Sequence, residues 1–219
     1  MVKSERPEPR AVRRSGRDVV VAALAILDRQ GLPELTMRNL AESLGVQASA
    51  LYWHFPNKQT LLAAVADEIV SRTRTLPTPA DDWRDAVLFD AIALHDALLA
   101  FKDGAEVVSS ALALGLGAGE AGRRLAAAIE RGGFDRMIAS RSAEALLHFV
   151  IGQTWHEQQR LQADSLGVVV EPFATDPDAV DAAPEGPAVF ELGVALFLAG
   201  LDARDPAAAP ADPASAARP

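Results

Sequence analysis

Leu51-Tyr52-Trp53-His54-Phe55, followed by Asn57-Lys58, gathers aromatic and cationic groups on a stretch that reads as one short helix. Such a helix suits the major groove of duplex DNA, which is wide enough to admit it and displays the base edges. Four consecutive rings on a repeat of about 100° must point around most of a helix circumference, so they cannot all be core. This weighs against the competing reading, an ordinary helical hairpin with every ring buried. Arg38 and Lys58, helped by Thr36, the Tyr52 hydroxyl and His54, suit phosphate contacts that orient the chain without reading bases. Gln47 has a bidentate amide that suits adenine, Ser49 pairs with several base edges, and Ala48 or Ala50 suits a thymine methyl. For Trp53 and Phe55 the expectation is packing against the head core or the following helix rather than insertion between bases.

These groups need a rigid mount. Thr36 to Val46 reads as a capped amphipathic helix: the Thr36 hydroxyl takes an orphan amide of the first turn, while Leu40 and Leu44 face the core. Ala41 lets two helices approach, Gly45 supplies the positive backbone dihedral of a tight turn, and Leu51 fills the angle between them, a helix-turn-helix pattern. Asp18 to Gln30 is a preceding helix with Val20, Leu24 and Leu27 on one face, closed by Gly31 and Pro33. Asn57 caps a fourth helix, Lys58 to Thr75, whose Leu61, Leu62, Val65 and Ile69 pack on both head and body.

The 219 residues have room for such a head and a larger body. Hydrophobic residues make up 49% of the chain but aromatic ones only 5%, a core of Ala, Leu and Val that favours closely packed helices, so the fold class is all-α. With no cysteine there is neither a disulfide framework nor a thiolate metal site. The first residues lack an apolar signal region and no apolar run reaches the ~18 residues of a bilayer span, which predicts a cytoplasmic protein. The net charge of -9 is unevenly divided. Residues 1–75 hold eleven basic against eight acidic residues, a balance of +3; the remainder holds ten against twenty-two, or -12. A head that meets phosphates and a body that repels DNA would discourage any other docking orientation.

The pattern divides the chain into a disordered basic arm (1–16), the head with its linking fourth helix (17–75), a helical body (76–203) and an Ala/Pro-rich disordered tail (204–219). In the body, Asp81 or Asp82 starts a helix through Trp83, Leu94 and Phe101. Lys102-Asp103-Gly104 stops it, Ala105–Leu114 and Glu120–Arg131 follow, and a long helix spans about Asp135 to Ala163. Asp164 to Gly186 reads as a long mobile loop, and Pro187 to about Leu201 as a last helix. Leu146, Phe149 and Val150 on the long helix, with Phe190, Val194, Phe197 and Leu201 on the last, form apolar faces that suit half of a four-helix homodimer interface.

With these motifs in place, residues 17–75 resemble the DNA-binding domain of TetR-type repressors, which carry the same Leu-Tyr-Trp-His-Phe-x-Asn-Lys signature. Phe101-Lys102-Asp103-Gly104-Ala105, His148-Phe149-x-x-Gly152, Glu157 and Phe190-x-x-Gly193-Val194-Ala195-Leu196 are similar, in order and spacing, to the ligand-binding domain of the tetracycline-repressor subgroup. The resemblance implies a homodimer on a palindromic operator, released by a small effector that moves the fourth helix as a lever. It departs at Ala48 and Ala50, where tetracycline repressors carry glutamine and threonine, which implies a different operator. Arg74, Asp90, Leu94, Val108 and Glu157 stand where that family contacts drug and metal, and only Glu157 keeps the family residue. The metal-ligating histidine is Val108 here, so the implied effector is a metal-free, polycyclic or aromatic, antibiotic-like molecule. Trp83, Leu94, Leu112 and Trp155 are its expected apolar walls, with His95, Gln153, His156 or Glu157 as polar contacts; His95 and His148 fit ordinary packing better. No cofactor is expected.

Two other classes compete. His148, His156 and Glu157 share one helix and suggest a metal or acid/base site, but no catalytic signature accompanies them, so an enzyme is not expected. A DNA-coating protein would need the same head but neither operator nor effector.

Overall fold

The computed structural model describes residues 14–73, 82–167 and 186–204, all but the connecting segments helical. Most of the expected disordered arm and tail, most of the expected mobile loop, and Arg74 lie outside the described residues; Ser15 and Gly16 of the expected arm are ordered as the start of a helix, and Asp164, Ser165 and Gly186 of the expected loop are helical. No helix among the described residues is long and apolar enough to cross a membrane.

The head is built from α1 (Gly16–Gln30), α2 (Met37–Leu44) and α3 (Ala48–Tyr52), with α4 (Lys58–Ser71) running on into the body. Each start has a chemical cause. The Ser15 hydroxyl accepts from the Asp18 amide at 3.2 Å while the Asp18 carboxylate accepts from the Ser15 amide at 2.8 Å, a reciprocal cap that starts α1 two residues before the apolar pattern alone suggests. Thr36 caps α2 through the Asn39 amide at 3.1 Å. Asn57 and Thr60 form a second reciprocal cap on α4. Gly45 takes φ 65° at the end of α2, and its left-handed turn redirects the chain into α3, whose Leu51 is buried in the same cluster as Leu40 and Ala41. α3 is shorter than the ring spacing suggests. His54 and Phe55 both donate to the Leu51 carbonyl at 2.9 Å, and Pro56 disfavours helical backbone at Phe55, so the last rings leave on a turn rather than a helix.

The body comprises α5 (Trp83–Leu99), α6 (Gly104–Ala113), α7 (Gly119–Arg131), α8 (Arg136–Ser165) and α9 (Gly186–Asp202). Asp82 starts α5 by accepting from the Arg84 amide. Leu94, Leu98, Val108, Leu125, Ile129, Leu146 and Val150 form a core continuous with that of the head through α4. α4 is gripped from the body side. Gly117, in the α6–α7 turn, lies so close that a Cβ there would sit 2.8 Å from the Ala63 carbonyl oxygen. The Asp67 carboxylate accepts from the Ala118 amide at 2.7 Å, and the Arg72 guanidinium lies 5.1 Å from the centre of the Phe101 ring.

The expected dimer face requires correction. Leu146, Val150, Phe190, Val194 and Leu201 are buried within the protomer, and Phe149 and Phe197 are partly buried against the same core. Phe190 packs 4.5 Å from the His95 ring and 6.0 Å from Phe149, so this stripe joins α9 to α5 and α8. The reason is that α9 is apolar on both sides. Its outer face carries Val189, Leu192 and Leu196, the last two 60% and 65% exposed, and sequence periodicity does not say which side faces a partner.

Two outcomes test this packing. Gly117→Ala will lower the thermal midpoint by the equivalent of about 1–3 kcal/mol, because the rigid Ala63 backbone cannot yield to the added methyl. The carboxyls of Asp18 and Asp82 are held below the usual range, chiefly by the amides of Ser15 and Arg84 respectively. Groups with lowered folded pKa contribute at neutral pH and lose that contribution as pH falls through the carboxylate range. The stability advantage of wild type over Asp18→Asn will therefore be present at neutral pH and shrink on acidification, as read by denaturant titration at several pH values.

Candidate DNA-contacting surface and effector cavity

The Gly45 turn presents Gln47, Ser49 and Ala50 to solvent at the start of α3, whereas Ala48 is partly buried and packs on the head core. Of the two alanines proposed for a thymine methyl, only Ala50 stands clear. Tyr52 and His54 are exposed along the same edge, with Arg38 exposed on α2 and Lys58 half-buried at the start of α4. Neither cation makes an ion pair among the described residues. Thr36 is half-buried, and its oxygen is engaged as the α2 cap. The two large rings separate. Phe55 packs partly on the core as expected, but Trp53 is 89% exposed, contrary to the expectation of a packed ring. The turn after Tyr52 swings Trp53 off the inward face that Leu51 occupies.

The residues predicted to hold an effector do not converge within one protomer. Asp90 and Leu94 line a cavity of about 10 Å³ with Thr73, Ala121 and Arg124, room for about one water. It is this small because the Arg124 guanidinium, from α7, pairs with the Asp90 carboxylate, from α5. Val108 is fully buried in the core and Leu112 partly so. Trp83 lies apart, edge-on to Phe134 at 5.1 Å and under the Arg84 guanidinium at 4.7 Å, with Arg84 also paired to Asp202 of α9. Gln153, His156 and Glu157 instead line a separate groove of about 340 Å³ with Arg160, Leu161, Asp164 and Val189. Trp155 is exposed nearby, edge-on to His156.

The same geometry speaks against a metal chelate. Glu157 is engaged by the His95 Nε2 at 2.9 Å, and the position of the family's metal-ligating histidine is a buried valine. No cluster of three or more potential metal ligands occurs among the described residues. These residues do not fit the group. Nor do His148, His156 and Glu157 form a catalytic set: both histidines are exposed, and the glutamate is held by His95.

Sequence reasoning missed Arg124, whose neighbour Arg123 pairs outward with Glu120. The signal was present: Arg124 follows Ala121 by three and precedes Ala128 by four, placing a cation on the apolar face of α7. Gln158 and Gln162, on the inner side of α8, were missed too, since one glutamine on a long helix carries no periodic signature.

The exposure of Trp53 has a spectroscopic consequence. Trp53→Phe will remove the larger share of the iodide-quenchable tryptophan emission, since Trp53 is 89% exposed against 42% for Trp155 and Trp83 is shielded by Phe134. Added duplex DNA will protect the wild-type signal, and quenching indifferent to DNA would contradict an interface at this edge.

Comparison with known proteins gives the family of the chain. Residues 19–65 match the family described as bacterial regulatory proteins, tetR family, and residues 76–204 match the tetracyclin repressor-like C-terminal domain. The Escherichia coli tetracycline repressor protein class A from transposon 1721 is 37% identical over 194 residues, covering 85% of this chain and 89% of that protein. The crystal structure of BioQ with its double-stranded DNA operator superposes with a TM-score of 0.70 at 37% identity, covering 87% of this chain and 99% of that one. A single-site variant of TetR from Acinetobacter baumannii AYE in complex with minocycline gives 0.68 at 28% identity, with 87% and 98% coverage. The chain belongs to the TetR family of bacterial transcriptional regulators, with a helix-turn-helix head and a tetracycline-repressor-like C-terminal domain.

Proposed function

We propose that this ligand-responsive, DNA-binding repressor reads a palindromic operator as a homodimer through the edge formed by Gln47, Ser49, Ala50, Tyr52 and Trp53. Arg38, His54 and Lys58 hold the flanking phosphates. The observation that carries this reading is the exposure of that edge beside two cations without ion-pair partners among the described residues, on a head otherwise closed around Leu40 and Leu51. The operator-bound BioQ structure supports it by likeness. The outer face of α9, Val189, Leu192 and Leu196, with the adjoining side of α8, is the proposed dimer surface in place of the buried stripe. A two-fold dimer there would carry two α3 helices about one duplex turn, ~34 Å, apart.

The effector is a small hydrophobic or aromatic molecule taken up without metal between α4, α5 and α7. Three features support the location: Thr73 at the end of the lever helix, Asp90 on α5 and Arg124 on α7 share one small cavity. A ligand entering there must separate or re-partner that ion pair and displace the end of α4, changing the spacing of the heads. A clean switch requires a preference for the DNA-incompetent spacing on the order of 5.5 kcal/mol.

The test is fluorescence anisotropy on duplexes from the upstream region of the protein's own gene, at physiological salt with excess unrelated competitor. Competitor-resistant binding at one site with inverted half-sites is expected. Binding abolished by competitor on every fragment would favour a DNA-coating role. Lys58→Ala will weaken all sequences alike and reduce the salt slope by about one. Leu192→Lys combined with Leu196→Lys will give a monomer in ultracentrifugation and lose most operator affinity.

A further inference from the structure

Beside α4 a second physical connection joins head and body, and the operator contacts do not use it. Its centre is Asp103, a buried residue between α5 and α6 with φ 56°. A residue other than glycine persists in that left-handed conformation only where its surroundings over-determine it. One carboxylate oxygen accepts from the Leu32 amide at 2.8 Å, in the α1–α2 connection of the head. The other accepts from the Gln162 side-chain amide at 2.6 Å, near the end of α8. One turn earlier Gln158 holds the same segment: it donates to the Leu98 and Phe101 carbonyls at 2.9 and 2.8 Å and accepts from the Ala105 amide at 3.2 Å. The head side is equally closed, since Gly31 has φ 85° and a Cβ there would sit 2.7 Å from the Asp103 carboxylate.

We propose that Gln162 and Asp103 are positioning residues for operator binding, fixing the angle of the reading head from α8 through the chain Gln162–Asp103–Leu32. This rests on the DNA-binding reading and adds to it a route that bypasses α4. Both oxygens of Asp103 are committed, to elements on opposite sides of the joint. A shift at the end of α8 must therefore break one of these bonds or be passed to Leu32. The groove lined by Gln153, His156, Glu157 and Arg160 lies on the same turns of α8, so a rearrangement there reaches the head without crossing the α4 cavity.

The experiment is hydrogen exchange of the full-length protein with and without the operator duplex identified by anisotropy. In wild type, the operator is expected to slow exchange in peptides covering 36–58 and also in those covering 101–106 and 158–165. In Gln162→Leu, slowing should be confined to the head and affinity should fall about tenfold. Gln162→Lys returns a donor to Asp103 and should recover both. Asp103→Asn tolerates the left-handed conformation but turns a donor or a weaker acceptor toward its partners, and should give the confined pattern even if Gln162→Leu does not fold. The proposal is overturned if Gln162→Leu matches wild type in affinity and pattern, or if wild type slows in the head alone. No slowing in 36–58 would instead remove the DNA-binding reading, and this proposal with it, so the two failures are distinguishable.

Discussion

The burial of α4 between head and body is the constraint on which the rest of the molecule depends. Leu61, Val65, Ala66, Ile69 and Val70 are all nearly inaccessible, so one helix belongs to both cores. Its first turn starts at the reciprocal Asn57–Thr60 cap beside α3, and Thr73, just past its last turn, lines the small cavity in the body. Between these ends the α6–α7 turn presses on it through Gly117, and Asp67 accepts from the Ala118 amide. Close packing leaves no room for α4 to deform smoothly, so a displacement at one end is carried to the other as a rigid shift.

The body's polar interior decides what such a shift requires. The Asp90–Arg124 pair occupies the space between α5 and α7 and is largely shielded from water, and His95 and Glu157 form a second, separate pair beside Phe190. Shielded pairs are costly to break one-sidedly because the remaining charge loses both its solvent and its partner. The second pair accounts for the poor fit to a metal chelate: the carboxylate retained at the family's position already has a partner.

Much of the architecture was legible because local chemistry dictates helix ends. Thr36, Asn57 and Asp82 cap the helices they precede, and Gly45 takes the left-handed turn its position demands. Where the reading failed, two solutions shared one periodicity. The stripe of Phe190, Val194, Phe197 and Leu201 is a genuine helical face, but α9 is apolar on its other side as well. The residues expected to hold a ligand are spread over a cavity, a groove and the core, because correspondence along the sequence does not report which way neighbouring helices turn.

By itself the sequence determined most helix boundaries, the all-α class, the charge division between head and body, and the helix-turn-helix with its chemistry. Each of these arises from contacts a few residues apart or from composition. Tertiary structure alone decided that Trp53 is exposed while Phe55 packs, that Arg124 meets Asp90, and that Asp103 joins Leu32 to Gln162. The last two pairings bring together groups tens of residues apart. Their geometry is set by how whole helices pack and rotate against one another, a property that no local periodicity encodes.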